Sequence, residues 1–453
     1  MYFLYSLLTA LGMLVASPYF LFAGFRRGQS LASLRQRFGR AYPPELRFLE
    51  GRSIWIHAVS VGEVLAVLPL ARRLKERFPM RRVVVSTTTA TGQRLARERV
   101  TFADAVFYFP LDWNGPVRRA FRAARPELIV VAETEIWPNF LRAARRENVP
   151  VAFVNGRLSE RSFKGFRRAR SLTLGLLRGF QEEVLADASI YLMQSNADAA
   201  RLIELGAPKD RVTVAGNLKY DLDTPHENAL SGWLAAEMVR SRRGPLIVAG
   251  SVLAGEEAPV LAALDAIEKR WPAALLVLAP RKPDRFDAAA LEVQNSGRAV
   301  LRRSTVSFDG IVDSPLAAQR SVLLLDSVGE LASLYALADA VFIGGSLVPA
   351  GGHNILEPAV AGRAPVFGPS MENFKDMAAQ FLNAGAGLQV FDSEQLAAAW
   401  TSLLADPRRS EQMGSAARDL VERYRGATER VFDQLAELLE SRRELSASAR
   451  GGS

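Results

Sequence analysis

The sequence predicts an α/β protein of two Rossmann-like domains facing each other across a cleft, preceded by an N-terminal membrane-anchor helix. Three observations carry that prediction. The chain has 453 residues, more than one hydrophobic core ordinarily supports, so two domains are expected. Short apolar runs alternate with amphipathic helical stretches along most of it, the pattern of a parallel sheet covered by helices on both faces. No charged residue occurs between Tyr2 and Phe25.

That first segment is strongly apolar, and as a helix it would reach roughly 36 Å, against a hydrocarbon core of about 30 Å. Pro18 interrupts it, so a kinked span or a shallow insertion is also open. No positive region precedes it, which argues against a cleaved signal peptide. Arg26, Arg27, Arg35, Arg37 and Arg40 follow without an acidic residue between them, and this bias holds the flank in the cytoplasm. The expected organisation is an anchor over 1–25, a first domain over 26–222 and a second over 223–453 that includes the terminal helices.

In the first domain strands are expected at Ile54–Ala58, Val83–Thr87, Val106–Phe109, Leu128–Val131, Val151–Val154, Ile190–Met193 and Val212–Ala215. Helices lie between them, such as Val64–Phe78, where Leu65, Leu68, Ala71 and Leu74 recur at helical spacing. The polar stretch Asp221–Glu227, containing Pro225, reads as a linker. A second series follows at Leu246–Ala249, Leu275–Leu278, Val322–Leu325, Val341–Ile343, Pro365–Phe367 and Leu388–Phe391.

Composition removes several function classes. There is no cysteine, hence no disulfide, thiolate nucleophile or iron–sulfur ligation, and the three histidines, His57, His226 and His353, make a structural zinc site an unpromising expectation. Neither half carries the GxGxxG dinucleotide fingerprint or a GxxxxGK[ST] loop. The net charge of +9 and a pI near 10.0 suit an anionic membrane surface or an anionic substrate. Nucleic acid is disfavoured, because the arginines are not interleaved with an aromatic recognition motif.

The chemistry-bearing residues follow strands, at the edge where open α/β sheets bind ligands. His57-Ala58-Val59-Ser60-Val61-Gly62-Glu63 runs from a strand into a helix. Gly62 permits close backbone approach or a tight turn, and Glu63 either favours the helix dipole or serves as a site carboxylate. Spacing alone does not choose. Glu133-Thr134-Glu135-Ile136-Trp137-Pro138-Asn139 places two carboxylates beside an aromatic turn, as a site or as a plain helix start with Pro138 in its first turn. Asn155 and Arg157 could hydrogen-bond sugar or phosphate, and Lys219 could neutralise a leaving phosphate, although a lone lysine is more often solvated. In the second half Pro280-Arg281 and Ser327-Val328-Gly329-Glu330 end strands. The glycine-rich stretch from Gly344 to Gly352 leads into His353-Asn354-Ile355-Leu356-Glu357-Pro358. There, amides at a helix start could hold phosphate while Asn354 and Glu357 grip a ribose, with capping the other reading for Asn354.

Together these motifs resemble the Kdo transferases, the family-30 glycosyltransferases of lipopolysaccharide synthesis. HAVSVGE, ETEIWPN, NGRLSERS, GNLKYD, the Gly255-Glu256-Glu257 that follows Gly250-Ser251, Pro280-Arg281 and GGHNILEP stand in that family's order across essentially the whole chain. The resemblance implies a GT-B fold, a CMP-β-Kdo donor in the second domain, a lipid A precursor against the first, inversion, and neither cofactor nor metal. It makes Glu63 the proton acceptor and Glu133 and Lys219 stabilisers of the transition state. CMP would be contacted by Pro280, Arg281, Val328, Gly329, Glu330, Asn354, Ile355, Leu356 and Glu357, and Ser60, Gly62 and Arg157 would lie on the acceptor side. It also implies the cytoplasmic face of the inner membrane as location. The chain departs from the family's usual residues at Val252, Leu253 and Lys282. A different nucleotide sugar, or a tethered sugar-nucleotide-binding protein without catalysis, are the alternatives.

Overall fold

The structure is a computed structural model that describes residues 1–26, 31–172, 176–222, 224, 226–308, 316 and 320–451. The chain forms two compact units, Met1–Asp221 joined by Arg425–Ser453, and Leu222–Tyr424.

In the first unit β1 (Ser53–His57), β2 (Arg82–Thr87), β3 (Ala105–Tyr108), β4 (Pro126–Ala132), β5 (Val151–Gly156), β6 (Ile190–Met193) and β7 (Val212–Val214) form a parallel sheet in the order β3-β2-β1-β4-β5-β6-β7. Every residue of β1, β4 and β5 is buried, as expected of strands covered on both faces. Alternate side chains feed two cores. Trp55 joins Phe107, Phe140, Phe153 and Tyr191 on one face, and Ile54 and Ile56 join Val67, Leu70 and Leu74 on the other.

The second unit repeats the plan with β8 (Leu246–Val252), β9 (Leu275–Pro280), β10 (Ala299–Arg302), β11 (Ser321–Leu324), β12 (Ala340–Ile343), β13 (Pro365–Phe367) and β14 (Leu388–Gln389), in the order β10-β11-β9-β8-β12-β13-β14. The strands expected from the sequence are all present. The additional β10 is a four-residue edge strand with a single buried position, Leu301, too short and too polar to announce itself. The strand order reverses between β1 and β4 in one sheet and between β8 and β12 in the other, and at such switch points the carboxyl ends of strands open a crevice.

Two boundaries differ from expectation. The C-terminal helix Ala427–Gly451 belongs to the first unit rather than the second. Ala427, Val431, Phe432, Leu435 and Leu439 are buried in the core beneath the helix Val61–Arg77, and Asp221 accepts hydrogen bonds from the amides of Gly426, at 2.6 Å, and Thr428. That carboxylate ties the outgoing chain to the returning one.

The expected membrane-spanning anchor is not found: among the described residues no helix is long and apolar enough to cross a membrane. The helix Tyr2–Arg26 instead uses one stripe against the first unit. The Tyr2 hydroxyl donates to Asp187 Oδ2 at 3.1 Å, Asn139 Nδ2 donates to Ser6 Oγ at 3.0 Å, and Trp113 Nε1 donates to Thr9 Oγ1 at 3.1 Å. Phe3, Leu4, Leu7, Leu8, Leu11, Leu14 and Val15 remain exposed along the rest of its surface.

Candidate active site

The first unit gathers an acidic cluster at its switch point. β1 ends at His57, and Ser60 starts the helix Val61–Arg77 in extended backbone without a side-chain cap of its own. Glu63, in the first turn, folds back over that start. Its Oε2 accepts from the Val59 amide at 2.7 Å and its Oε1 from the Ser60 hydroxyl at 2.8 Å. The carboxylate thus completes the helix start, a variant of the capping box, but it is only 8% exposed. Burial pushes its pKa up to about 7, against the pull of the Val59 and Ser60 hydrogen bonds and with a further push from Glu133 and Glu135. Glu63 thus does sit at the helix start, and it is enclosed beside two further carboxylates. A carboxyl poised near neutrality is suited to general-base work.

Gly62 has ordinary backbone, which removes the tight-turn reading, and a Cβ there would meet no other protein atom. The glycine leaves the first turn beside Glu63 uncovered.

Glu133 follows β4 with φ +57°, a left-handed conformation that a non-glycine residue adopts at a cost, and its amide donates to Val154 O at 2.8 Å. Thr134 clasps the next loop, its hydroxyl donating to Arg157 O and accepting from the Arg157 amide at 2.9 Å. Glu135, the motif's second carboxylate, joins the cluster, its pKa raised by burial and by Glu133. The helix does begin at Pro138, with both carboxylates just before it.

Lys219 reaches the cluster from the turn after β7. Burial lowers its pKa, the carboxylates of Glu133 and Glu63 act in the opposite sense, and Arg157 adds to the lowering. Asn155, expected to face sugar or phosphate, is instead buried, with φ +55°. Its Oδ1 accepts from the Leu218 amide at 3.0 Å, and Asn217 Oδ1 accepts from the Lys219 amide at 3.0 Å. These amide side chains set the turn that carries the lysine. Asn217 bonds only two residues ahead, whereas Asn155, at the end of β5, finds its partner far along the chain, so no sequence spacing announces that bond.

In the second unit Arg281 follows β9, its amide donating to Val252 O at 2.9 Å, and its side chain is exposed. It lies within electrostatic reach of His353 and Glu357. Burial and Arg281 lower the His353 pKa to about 4, so the ring is neutral at neutral pH, and its buried Nε2 has no hydrogen-bond partner among the described residues. Burial raises Glu357, partly offset by the hydrogen bond from Asn354 Nδ2 at 3.1 Å and by Arg281.

Three features of this side bear on what it could hold. Asn354 Oδ1 accepts from the Leu356 amide at 3.1 Å from one residue before the N-cap position Ile355, and the helix that follows, Leu356–Val360, is a five-residue turn with little dipole to offer a phosphate. The amides of Gly345, Ser346 and Leu347 are already bonded to the Glu256 carboxylate. Ile355 and Leu356 have fully buried side chains, which leaves only their backbone to a ligand. Of the remaining expected contacts, Pro280 closes β9, Val328 is exposed, and Gly329 takes φ +96°. Glu330 is held by Arg303 Nη2 at 2.9 Å and by the Ser327 hydroxyl. Among the described residues no group of three or more His, Cys, Asp or Glu is arranged to hold a metal ion.

Residues 32–222 match the family model described as 3-deoxy-D-manno-octulosonic-acid transferase (kdotransferase). A Bordetella pertussis 3-deoxy-D-manno-octulosonic acid transferase is 36% identical over 420 residues, covering 89% of this chain and 91% of that protein. Its Haemophilus influenzae counterpart is 32% identical over 392 residues, covering 86% and 88%. The fold is shared with a Rickettsia africae glycosyltransferase, at TM-score 0.52 and 11% identity over 87% of this chain and 99% of that one. A UDP-GlcNAc 2-epimerase from Neisseria meningitidis is similar in fold at TM-score 0.52 and 12% identity, over 86% and 100%.

Two parallel α/β units, with acidic and basic groups at the strand ends and these relatives, define the class: the protein is a glycosyltransferase. Within that class the chain belongs to the 3-deoxy-D-manno-octulosonic acid (Kdo) transferase family.

Proposed function

We propose that this enzyme transfers Kdo from CMP-β-Kdo to a lipid A precursor, with inversion, in lipopolysaccharide core biosynthesis at the cytoplasmic face of the inner membrane. The observation that carries the reading is the state of Glu63: a buried carboxyl at a strand-end crevice, pushed up to about 7, beside Glu133, Glu135 and Lys219. Glu63 takes the proton of the acceptor hydroxyl as its oxygen bonds to the anomeric carbon of Kdo. The bond from that carbon to the CMP phosphate breaks, and the electron pair leaves with CMP. Positive charge develops on the sugar between these events, and Glu133 and Lys219 stabilise the redistribution of charge.

On the donor side Arg281 supplies positive charge to the phosphate, Glu357 and Asn354 hold the ribose, and Pro280, Val328, Gly329 and Glu330 border the nucleotide. Ser60, Gly62 and Arg157 flank the acceptor. CMP-Kdo is a substrate, and neither cofactor nor metal has a part in this reading. The exposed apolar stripe of the N-terminal helix, Phe3, Leu7, Leu11 and Leu14 among others, supports membrane attachment by an in-plane helix, with basic residues meeting anionic headgroups.

Mass analysis of products from purified protein, CMP-Kdo and a tetraacylated lipid A precursor tests the assignment. An increment of one or more Kdo units is expected, with no product from UDP-sugars; the opposite donor pattern would overturn it. Glu63→Gln is expected to abolish transfer while keeping CMP binding, and unchanged turnover would remove Glu63 from the mechanism.

A further inference from the structure

The motif Gly255-Glu256-Glu257 has no part in the transfer chemistry, yet both its carboxylates are almost completely enclosed. Glu256 is 0% exposed, and no ion pair to it occurs among the described residues. Its Oε2 accepts from the amides of Leu253 at 2.9 Å and Gly345 at 2.6 Å, and its Oε1 from Ser346 and Leu347, both at 2.9 Å. A buried charge persists only when such bonds replace its hydration. Three successive amides make a concavity suited to an anion, and here the anion is the protein's own. Glu256 thereby ties the segment after β8 to the turn after β12, across the switch point of the second sheet.

That turn sets the residues downstream. A Cβ on Gly344 would stand 2.5 Å from Ser251 O and 2.8 Å from Glu256 Oε2, so only glycine allows the approach. Gly345, at φ +68°, lies against the His353 ring, and its carbonyl accepts from the Gly352 amide at 2.8 Å.

Glu257, 2% exposed, braces the neighbouring loop. Its Oε1 accepts from Arg285 Nη2 at 2.8 Å and its Oε2 from the Gly255 amide at 2.9 Å. Arg285 closes the turn Pro283–Arg285, directly after Arg281.

We propose that Glu256 and Glu257 are positioning residues for the donor. One fixes the loop that presents His353, Asn354 and Glu357, the other the loop that presents Arg281, so that side chains from two strand ends meet one nucleotide. The proposal rests on the reading that this unit binds CMP-Kdo, and neither carboxylate touches the donor itself.

The test uses the full-length chain, with CMP affinity from calorimetry and steady-state kinetics with CMP-Kdo. Glu257→Gln and Arg285→Gln are each expected to weaken CMP binding about tenfold, and the double variant no more than either single one, since both remove the same brace. The donor KM should rise in parallel, while kcat at saturating donor and the acceptor KM stay within about twofold. Glu256→Gln turns an NH2 group toward amide donors, and a larger rise in donor KM is expected together with a lower Tm. Should that variant fail to fold, the Glu257 and Arg285 variants still decide the matter. CMP affinity unchanged in them, losses that add in the double variant, or an equal fall in kcat would overturn the proposal. Absence of CMP binding by the unaltered chain would overturn the donor reading and the proposal with it.

Discussion

In its proposed role as base, Glu63 carries a conflict between stability and catalysis. Its pKa of about 7 lies above the value near 4.3 of a carboxyl in an unfolded chain. The folded state therefore binds the proton more tightly, and stability is lost as pH rises from the unfolded value through the folded one. At pH 8 the buried charge costs on the order of 3–4 kcal/mol. Glu63→Gln is accordingly expected to raise Tm at pH 8 and to change it little at pH 4.5, as thermal melts across that range will show. The activity profile has the opposite slope. With Glu63 as base, kcat/KM should climb tenfold per pH step below about 6 and level off above about 8, whereas a profile flat from pH 5 to 8 would exclude the role. Glu133 adds a second local cost, its positive φ, at the same crevice.

Among the elements, the C-terminal helix does the most to separate chain order from spatial order. Its residues Ala427, Val431, Phe432, Leu435 and Leu439 line one stripe that completes the first unit's core, with Arg73–Glu429 and Arg77–Glu440 pairs at its margin. Those pairs are exposed and contribute little. The buried stripe is what holds the helix. Leu435→Ala is expected to cost about 2–5 kcal/mol, read as a lower denaturant midpoint in the first unit's transition. A loss confined to the second unit's transition would contradict the packing described. The N-terminal helix is the milder case, docked through Tyr2, Ser6 and Thr9 while Leu4, Leu7, Leu8, Leu11 and Leu14 face outward.

At the scale of the whole molecule, the proposed membrane attachment requires the exposed apolar stripe and the +9 charge to act together on an anionic bilayer. Each exposed leucine adds apolar contact, and each arginine near the surface adds an attraction that salt screens. Replacing Leu7, Leu11 and Leu14 by Gln is expected to shift the protein from anionic vesicles to the soluble fraction in flotation assays, without changing its melting temperature. Raising salt from about 0.1 to 0.5 M should weaken the unaltered protein's binding several-fold. Vesicle binding indifferent to both changes would place the attachment elsewhere.

The parallel-sheet architecture and the strand-end positions of the candidate site residues were legible in the linear order of residues. Buried parallel strands are continuous apolar runs, so β1, β4, β5, β8 and β9 stood out, and ligand-binding residues follow strand ends, so Glu63, Glu133, Lys219 and Arg281 could be named. The edge strand β10 has one buried residue and left no such trace. Which partner each polar side chain takes was settled only by folding. Asn155 bonds Leu218, Glu256 fills the amides after β12, and residues 427–439 return to the first core. The pKa of Glu63 likewise follows from enclosure beside Glu133 and Glu135. Periodicity and spacing are local, whereas desolvation and hydrogen-bond pairing depend on groups that approach from distant parts of the chain, and these decide which carboxylate sits enclosed among other acids and which is held by backbone amides.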